Sequence, residues 1–107
     1  MQRVTLVRYT AKPDRADENE ALSRAVFTEL RARRPAGIAY ALCRAGDEFT
    51  HVFINFEGDA SEPLTELASF KAFGAQGPDR QVAPPEVMRM SVNVLESYGF
   101  ERTLAPA

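Results

Sequence analysis

Cysteine and histidine each occur only once in this sequence, as Cys43 and His51. A lone cysteine cannot form an intrachain disulfide, so a small scaffold held together by disulfides is excluded. The two residues also lack the C-x-x-C or H-x-x-x-H spacing that is typical of metal ligands. We therefore expect no metal site, and we interpret Cys43, which lies among small alanines, as a core residue.

Tryptophan is absent, and so are long apolar runs and an excess of charge of one sign. No stretch approaches the length of a membrane span, and the first residues lack the apolar core of a signal peptide. The 13 basic and 15 acidic residues are interleaved and give a net charge of −2, whereas a nucleic-acid-binding protein normally shows a basic face. These features predict a cytoplasmic protein that binds neither a membrane nor a nucleic acid.

The remaining composition is that of an ordinary globular protein. Hydrophobic residues make up 45% and charged residues 26% of the 107 residues, which is enough for one hydrophobic core. The chain is predicted to form a single domain over residues 1–107, with a folded core at 3–96 and a C-terminal tail at 97–107. Tyr98 and Phe100 indicate that the tail packs on another surface.

The first third of the chain predicts a strand followed by a helix. Residues 3–11 mix β-branched and aromatic side chains, which is typical of a strand. Residues 17–33 form the predicted helix, with Asp17 as its N-cap and Glu20 three positions later in a capping box. The segment 35–37, Pro-Ala-Gly, ends this helix. Apolar residues at spacings of three and four lie on one helix face, and they are Leu22, Ala25, Val26 and Leu30.

The middle of the chain predicts a β-hairpin formed by residues 38–44 and 49–56, with Gly46-Asp47 as a tight turn. One face of the hairpin then carries Ile38, Tyr40, Leu42, His51, Phe53 and Asn55, and the other carries Ala39, Ala41, Cys43, Val52, Ile54 and Phe56. Both faces are largely apolar, whereas a sheet with one wet side alternates between apolar and polar residues. Both faces are therefore expected to be covered, and the pattern leaves open which of them meets the helices.

The last third of the chain predicts a second helix, a loop and a final strand. Ser61 is the expected N-cap of a helix that continues to about Gly74. Residues 74–86 contain several glycines and prolines and form a loop, with room for a short helical turn. Its length favours a lid or a partner contact. Residues 87–96 alternate in polarity and form the last strand.

The order strand–helix–strand–strand–helix–strand predicts an α+β, ferredoxin-like fold, in which two helices cover one face of a four-stranded antiparallel sheet. The opposite face is also apolar, and a chain this short exposes such a face only if another surface meets it. The sequence therefore predicts a homodimer that forms through the open face of the sheet. The alternative is a monomer in which the tail and the proline-rich loop cover that face.

Three segments resemble a known family. Lys12-Pro13 follows the first strand and precedes an acidic helix start, and residues 35–42 are similar to the pattern Pro-Gly-x-x-x-Tyr-x-Leu. Phe56-Glu57 and residues 69–73, Ser-Phe-Lys-Ala-Phe, stand where the family has Trp-Glu and His-Phe-x-x-Phe. Over residues 3–96 the chain resembles the antibiotic-biosynthesis-monooxygenase-like domains of the dimeric α/β-barrel superfamily.

This resemblance implies an activity as well as a fold. The family's monooxygenase branch oxidises a polycyclic hydroxyaromatic to a quinone with O₂ and without a metal or flavin. Its haem-degrading branch uses an Asn, a Trp and a His, and this chain has Phe56 at the tryptophan position and Ser69 at the histidine position, so haem breakdown is disfavoured. We expect a cofactor-independent monooxygenase-like enzyme for a small aromatic or polyketide-like substrate. The alternatives are a non-catalytic homodimer that binds a small molecule and a purely structural dimerisation module.

The polar candidates for such a site lie on one face of the hairpin. His51 is the only side chain whose ordinary pKa lies near neutrality, and it is the candidate general base or phenol partner. Tyr40 and Asn55 complete the candidate catalytic set. The alternatives are an interface histidine in a hydrogen bond, a core tyrosine with one satisfied hydroxyl, and an asparagine that caps the end of a strand.

The candidate substrate-binding residues are largely aromatic, and they are Tyr9, Phe53, Phe70 and Phe73. Each of them is also a good core residue, because aromatic side chains dominate the apolar area of small domains. Arg8 and Arg89 interrupt strands, so they either bind an anionic ligand or cover a solvated edge. If the other face of the hairpin meets the helices, the site moves to Ala39, Val52 and Ile54.

Overall fold

The computed structural model of the chain describes residues 2–57, 62–65, 67–75 and 77–99, with the backbone alone at 62 and 63. The predicted turn at 58–61 with its cap Ser61, and Phe100 with the rest of the tail, lie outside the described residues.

The described elements are β1 (Gln2–Thr10), α1 (Ala16–Arg33), β2 (Ile38–Ala45), β3 (Glu48–Asn55), α2 (Glu62–Thr65), α3 (Ala68–Ala75), α4 (Gly77–Arg80) and β4 (Glu86–Val92). They follow the predicted order, except that two helices, α2 and α3, stand where one continuous second helix was predicted. The strands form one antiparallel sheet in the order β2-β3-β1-β4, and the helices pack on one of its faces. The predicted α+β, ferredoxin-like fold is therefore confirmed. β4 ends four residues earlier than predicted, and α4 is a short helical turn within the predicted loop.

The hairpin has the register that its turn predicts. Gly46 and Asp47 connect β2 to β3, and Gly46 has the positive φ of 63° that a tight hairpin turn needs at this position. Tyr40 therefore pairs with Phe53, and Leu42 pairs with His51.

Burial decides which face of the hairpin meets the helices. His51, Phe53 and Asn55 are buried, whereas Val52 and Ile54, which point the other way, are only half-buried. The face that carries the predicted polar candidates thus lies under the helices. The condition under which the candidate site would move to Ala39, Val52 and Ile54 is therefore not met.

The apolar core between sheet and helices consists of two clusters. One cluster contains Val26, Ile38, Phe53, Leu64 and Leu67. The other contains Tyr9, Ala11, Ala16 and Phe49. Phe73 on α3 packs against both clusters, so α3 connects the two halves of the core.

Helix α1 differs from its prediction at its start and on its buried face. It begins at Ala16 with Arg15 at the N-cap position and no side-chain cap, so the prediction of Asp17 as N-cap is wrong. The Asp17 carboxylate instead accepts a hydrogen bond from Arg44 Nη1 at 2.9 Å. Ala25 is exposed, and the buried face is formed by Ala16, Asn19, Ser23 and Val26. Two of these residues are polar, so apolar periodicity alone could not find them.

The end of α1 is a left-handed residue that is not glycine. The helix stops at Arg33, and Arg34 has φ 51° and ψ 52°. Its N–H donates to the Leu30 carbonyl at 2.7 Å, which satisfies one of the free carbonyls at the helix end. The chain therefore turns before the predicted stop at 35–37.

The face of the sheet away from the helices, which we call the open face, is apolar. Leu6 pairs with Val52 on one side and with Met88 on the other, and Val4 pairs with Ile54 and Met90. Side chains of one strand alternate between faces, so directly paired residues share a face. These six residues form the centre of the open face.

Two residues outside the core differ from their predictions. Cys43 is exposed and lies on the open face, so the prediction that it packs in the core of a single chain is wrong. Tyr98 is 96% exposed, so it does not pack on the described part of the chain as expected. Both residues are available for contact with another surface.

The left-handed end of α1 gives a first test. We expect Arg34→Gly to raise the free energy of unfolding by about 0.5–1 kcal/mol, because glycine adopts this conformation without a steric penalty. Arg31→Gly, inside the same helix at an exposed position, should lower it by about 1 kcal/mol. Urea denaturation of both variants measures the free energy of unfolding. An equal decrease of this free energy in the two variants would contradict the left-handed geometry of Arg34.

Candidate functional site

A pocket of about 320 Å³ lies between the helix-facing side of the sheet and α2 and α3. Its wall is mostly apolar. All the residues of the candidate catalytic and substrate-binding sets contribute to it, and they are His51, Tyr40, Asn55, Tyr9, Phe53, Phe70 and Phe73, whereas Arg8 does not. The structure therefore brings the candidates together in one cavity, while their roles in binding and catalysis stay predictions.

His51 lies between two tyrosine hydroxyls. Its Nε2 is 2.9 Å from the Tyr9 hydroxyl, and its Nδ1 is 2.7 Å from the Tyr40 hydroxyl. These three residues come from β3, β1 and β2, and the sheet register places their side chains on one face. Both ring nitrogens are therefore satisfied by protein groups. Only 5% of His51 is exposed.

The hydrogen bonds continue from Tyr9 into α1. Asn19 Nδ2 donates to the Tyr9 hydroxyl at 2.8 Å, and Asn19 Oδ1 accepts from Arg80 Nε at 3.1 Å. Ser23 Oγ donates to the Asn19 carbonyl at 2.8 Å. The result is a buried series of side chains, Arg80–Asn19–Tyr9–His51–Tyr40, which we call the polar chain.

Arg80 ends the polar chain as a fully buried cation. Its Nη2 donates to the Phe73 carbonyl at 2.5 Å, and its guanidinium lies 5.2 Å from the centre of the Phe73 ring. Its Nη1 has no hydrogen-bond partner, and no described carboxylate forms an ion pair with it. An amide oxygen, a carbonyl and an aromatic face therefore stabilise this charge. Sequence reasoning missed Arg80, because it resembles an ordinary loop arginine.

Burial sets the protonation of the three ring side chains. It lowers the pKa of His51 to about 4 and raises the pKa of Tyr40. Burial also raises the pKa of Tyr9, against the opposing effects of the Asn19 hydrogen bond and the Arg80 charge. At neutral pH the imidazole is therefore neutral and both phenols are protonated. A neutral imidazole donates one hydrogen bond and accepts one, so one tyrosine donates to the ring and the other accepts from it.

Asn55 lies at the end of the pocket away from the polar chain and also shapes the backbone. Its Oδ1 accepts a hydrogen bond from the Glu57 N–H at 2.9 Å, and only 3% of the residue is exposed. This is the strand-ending cap that the sequence offered as an alternative to ligand contact. The side chain holds the end of β3 and lines the pocket at the same time.

The two positions where the sequence departs from the resembled family lie outside the pocket wall. Ser69 donates from its backbone N–H and its Oγ to Glu29 Oε1, at 3.0 and 2.6 Å. These bonds tie α3 to α1 and lower the pKa of Glu29. Phe56 follows the end of β3, and its N–H donates to the Gly37 carbonyl at 2.8 Å. Both residues have structural contacts.

Several lining residues were not singled out by their sequence pattern. Leu64 and Thr65 come from α2, Arg3 comes from β1, and Gln81 follows α4. No group of three or more His, Cys, Asp or Glu side chains comes together within the described part of the chain. Of the helices that the structure describes, none has the length and apolarity to cross a membrane.

Solved structures with the same fold include proteins whose names match the resembled family. Rv0793 from Mycobacterium tuberculosis superposes with a TM-score of 0.71 at 19% identity, over 91% of this chain and 100% of its own. A Nitrosomonas europaea protein, provisionally named an antibiotic biosynthesis monooxygenase, has a TM-score of 0.70 at 14% identity, over 90% and 94%. A Bacteroides thetaiotaomicron protein with the same provisional name has a TM-score of 0.70 at 15% identity, over 91% and 96%.

At such low identities these likenesses establish the fold, and they confirm that the chain resembles monooxygenase-like proteins in architecture. They leave the reaction and the substrate open. Comparison of the sequence with family models and with curated proteins gives no match.

The depressed pKa of His51 predicts a pH-dependent stability. The unfolded histidine takes up a proton below its ordinary pKa of 6.5, whereas the folded one does so only near pH 4. The stability that neutral burial provides is therefore complete above pH 6.5 and is lost as the pH falls to about 4, by roughly 3 kcal/mol in total.

We expect the difference in free energy of unfolding between the wild type and His51→Gln to shrink by that amount between pH 7.5 and 4. Urea denaturation at several pH values measures it. The carboxylates titrate in both proteins, so their contribution cancels in the difference. A difference that does not change with pH would show that His51 is not held neutral.

Proposed function

We propose that this protein is a homodimeric enzyme that binds a small hydroxyaromatic compound in the pocket and promotes its oxidation by O₂ without a metal or flavin. The observation that carries the proposal is the neutral His51 ring, held between Tyr9 and Tyr40 on the wall of an apolar cavity. The names of the structural neighbours agree with this class of enzyme.

The pocket suits a flat aromatic ligand. Its volume of about 320 Å³ lies at the lower end of the range for small-molecule sites, about 300–1,000 Å³. The rings of Phe53, Phe70 and Phe73 offer apolar surfaces for stacking. His51, Tyr9 and Tyr40 converge at one end, where they can orient a single hydroxyl group.

The proposed reaction begins with the transfer of a proton from the ligand. The Tyr40 hydroxyl gives its proton to His51 Nδ1 and takes up the proton of an acidic hydroxyl on the ligand, so His51 is the base that receives the proton. A tyrosine O–H then stabilises the anion by a hydrogen bond, at a site that excludes water. The anion is electron-rich and reduces O₂. In a hydroxyanthrone, the ring CH₂ becomes C=O with one oxygen atom, and the other oxygen leaves as water with the two hydrogens, so no external reductant is needed.

The low pKa of His51 is compatible with this role. Its cause is the loss of solvation in the pocket without a ligand. A ligand anion beside the ring favours the protonated imidazole and raises its pKa, because opposite charges attract strongly in a medium of low dielectric. Proton transfer and formation of the ion pair therefore occur together.

The open face supports the dimeric part of the proposal. Its centre is formed by six apolar side chains on three adjacent strands, among them Leu6, Val52 and Met88, and Met88 is 55% exposed. A second copy would present the same patch about a two-fold axis. Stable interfaces bury about 1,200–2,000 Å² in total, which pairing of two such sheets can supply.

A second candidate function is non-catalytic binding of the same class of ligand. The observation that favours it is that both ring nitrogens of His51 are already hydrogen-bonded to tyrosines. A ligand would then only fill the cavity, and its hydroxyl group would stay protonated. A purely structural module is disfavoured, because the space between sheet and helices contains a pocket.

Turnover of a hydroxyanthrone distinguishes these functions. We expect O₂ uptake with 1,8-dihydroxy-9-anthrone that persists in EDTA and falls by about 100-fold in His51→Gln, the usual range for losing a general base. Tyr40→Phe should lower the rate as well, because it removes the hydroxyl that passes the proton to His51. Tyr98→Phe is the matched control, since Tyr98 is 96% exposed.

The possible results separate the two candidates. A ligand at about 100 times its Kd adds roughly 2.7 kcal/mol and raises the melting temperature. Stabilisation without O₂ uptake above the uncatalysed rate would replace the enzyme with the binding protein. Absence of both stabilisation and turnover would contradict the proposed function altogether.

The dimer is tested by a single charge on the open face. We expect Leu6→Glu to convert the dimer to a monomer, because the new carboxylate would have to lose its solvation at the centre of the interface. Sedimentation measures the mass, and circular dichroism checks the fold. Ala32→Glu adds the same charge on the exposed side of α1 and should leave the dimer intact. A dimer in both variants would place the interface elsewhere.

A further inference from the structure

We propose that the ligand of this pocket carries an anionic group, such as a carboxylate, opposite the end that contacts His51. The proposal rests on the proposed binding of a hydroxyaromatic and names its chemical class more closely, as a hydroxylated aromatic acid. It depends on the distribution of charge along the pocket wall, which the oxidation chemistry does not use.

The charged side chains that the structure describes on the pocket wall are of one sign. Arg3 and Arg89 line the pocket, and none of its described lining residues is an aspartate or glutamate. This contrasts with the whole chain, whose net charge is −2. Arg89 is exposed and forms no ion pair with any residue that the structure describes. It is therefore a cation at the pocket that no carboxylate among the described residues neutralises.

The sheet register places the two arginines next to each other. Arg3 pairs with Ser91, and Arg89 pairs with Thr5, so both arginines lie on the helix-facing side of neighbouring strands. Diagonal neighbours of this kind are about 7–8 Å apart at the backbone. From this position the long guanidinium side chain of Arg89 can reach a carboxylate in the pocket, and the planar fork of an arginine matches its two oxygens.

The register also gives the length of the ligand. His51 pairs with Val7, whereas Arg89 pairs with Thr5, two positions along β1, and Arg3 lies two positions further. At a rise of about 3.3 Å per residue, the arginines lie roughly 7–13 Å from His51 along the strand. Two or three fused aromatic rings cover this distance. A hydroxyl at one end and an acid at the other would contact both polar ends.

Solvation explains why the acid belongs at the arginine end. A carboxylate placed beside the neutral His51 would lose its water with only phenol hydroxyls in return, which is costly. At Arg89 the same group stays partly solvated and gains charge-assisted hydrogen bonds. The apolar rings then occupy the middle of the pocket, against Phe53 and Phe73.

A pair of ligands tests the inference. We expect 6-hydroxy-2-naphthoate to bind about tenfold more tightly than 2-naphthol in calorimetry at low salt, and the advantage to shrink in 1 M NaCl as the charges are screened. Arg89→Gln should remove most of the advantage while leaving the affinity for 2-naphthol unchanged. Arg31→Gln, which removes an exposed arginine on α1, should change neither affinity.

The results separate this inference from the proposed function. Equal affinities for acid and naphthol, or an advantage that Arg89→Gln leaves in place, would overturn the anion site while the hydroxyaromatic pocket stands. Binding of the acid through Arg89 without oxidation of any hydroxyaromatic would support the anion site and remove the enzymatic function. Failure of both compounds to bind would overturn the two proposals together.

Discussion

Burial of one histidine between two tyrosines is the constraint that organises this molecule. His51 can lie in the apolar layer only because both of its ring nitrogens have partners, Tyr9 and Tyr40. Tyr9 in turn needs Asn19, and Asn19 needs Arg80. The polar chain therefore links β1, β2, β3, α1 and α4 through side chains alone. A buried side chain of the polar chain that lost its hydrogen-bond partner would lower the free energy of unfolding. The hydrogen bonds therefore hold these elements in one arrangement.

The same constraint gives the pocket two different ends. Near His51 the wall is neutral at physiological pH, because burial favours the uncharged ring. Near Arg3 and Arg89 the charged side chains that the structure describes are cationic, and Arg89 is exposed to solvent. A ligand that is apolar in the middle and polar at both ends matches this wall. Small-molecule sites commonly combine a mostly apolar surface with a few such placed polar groups.

The two faces of the sheet have different roles. The helix-facing side carries the pocket and the polar chain, and the open face carries Val4, Leu6, Val52, Ile54, Met88 and Met90. A monomer that exposes such a patch is prone to association. Pairing two copies through this face would leave both pockets on the outer layers, where the helices lie. Dimer formation and ligand binding can therefore be altered separately.

Local patterns were enough to determine the order of the elements and the register of the hairpin. The turn at Gly46-Asp47 depends on the conformation of two neighbouring residues, and strand alternation then fixes that His51, Phe53 and Asn55 share a face. Only the tertiary structure decided that this face meets the helices, since both faces are apolar. It also brought Asn19 to Tyr9 and Arg80 to Asn19. No local pattern indicates the second contact, because Asn19 and Arg80 are 61 positions apart. A polar residue is stable inside a protein when its partner arrives from elsewhere in the chain, and that meeting is a property of the fold.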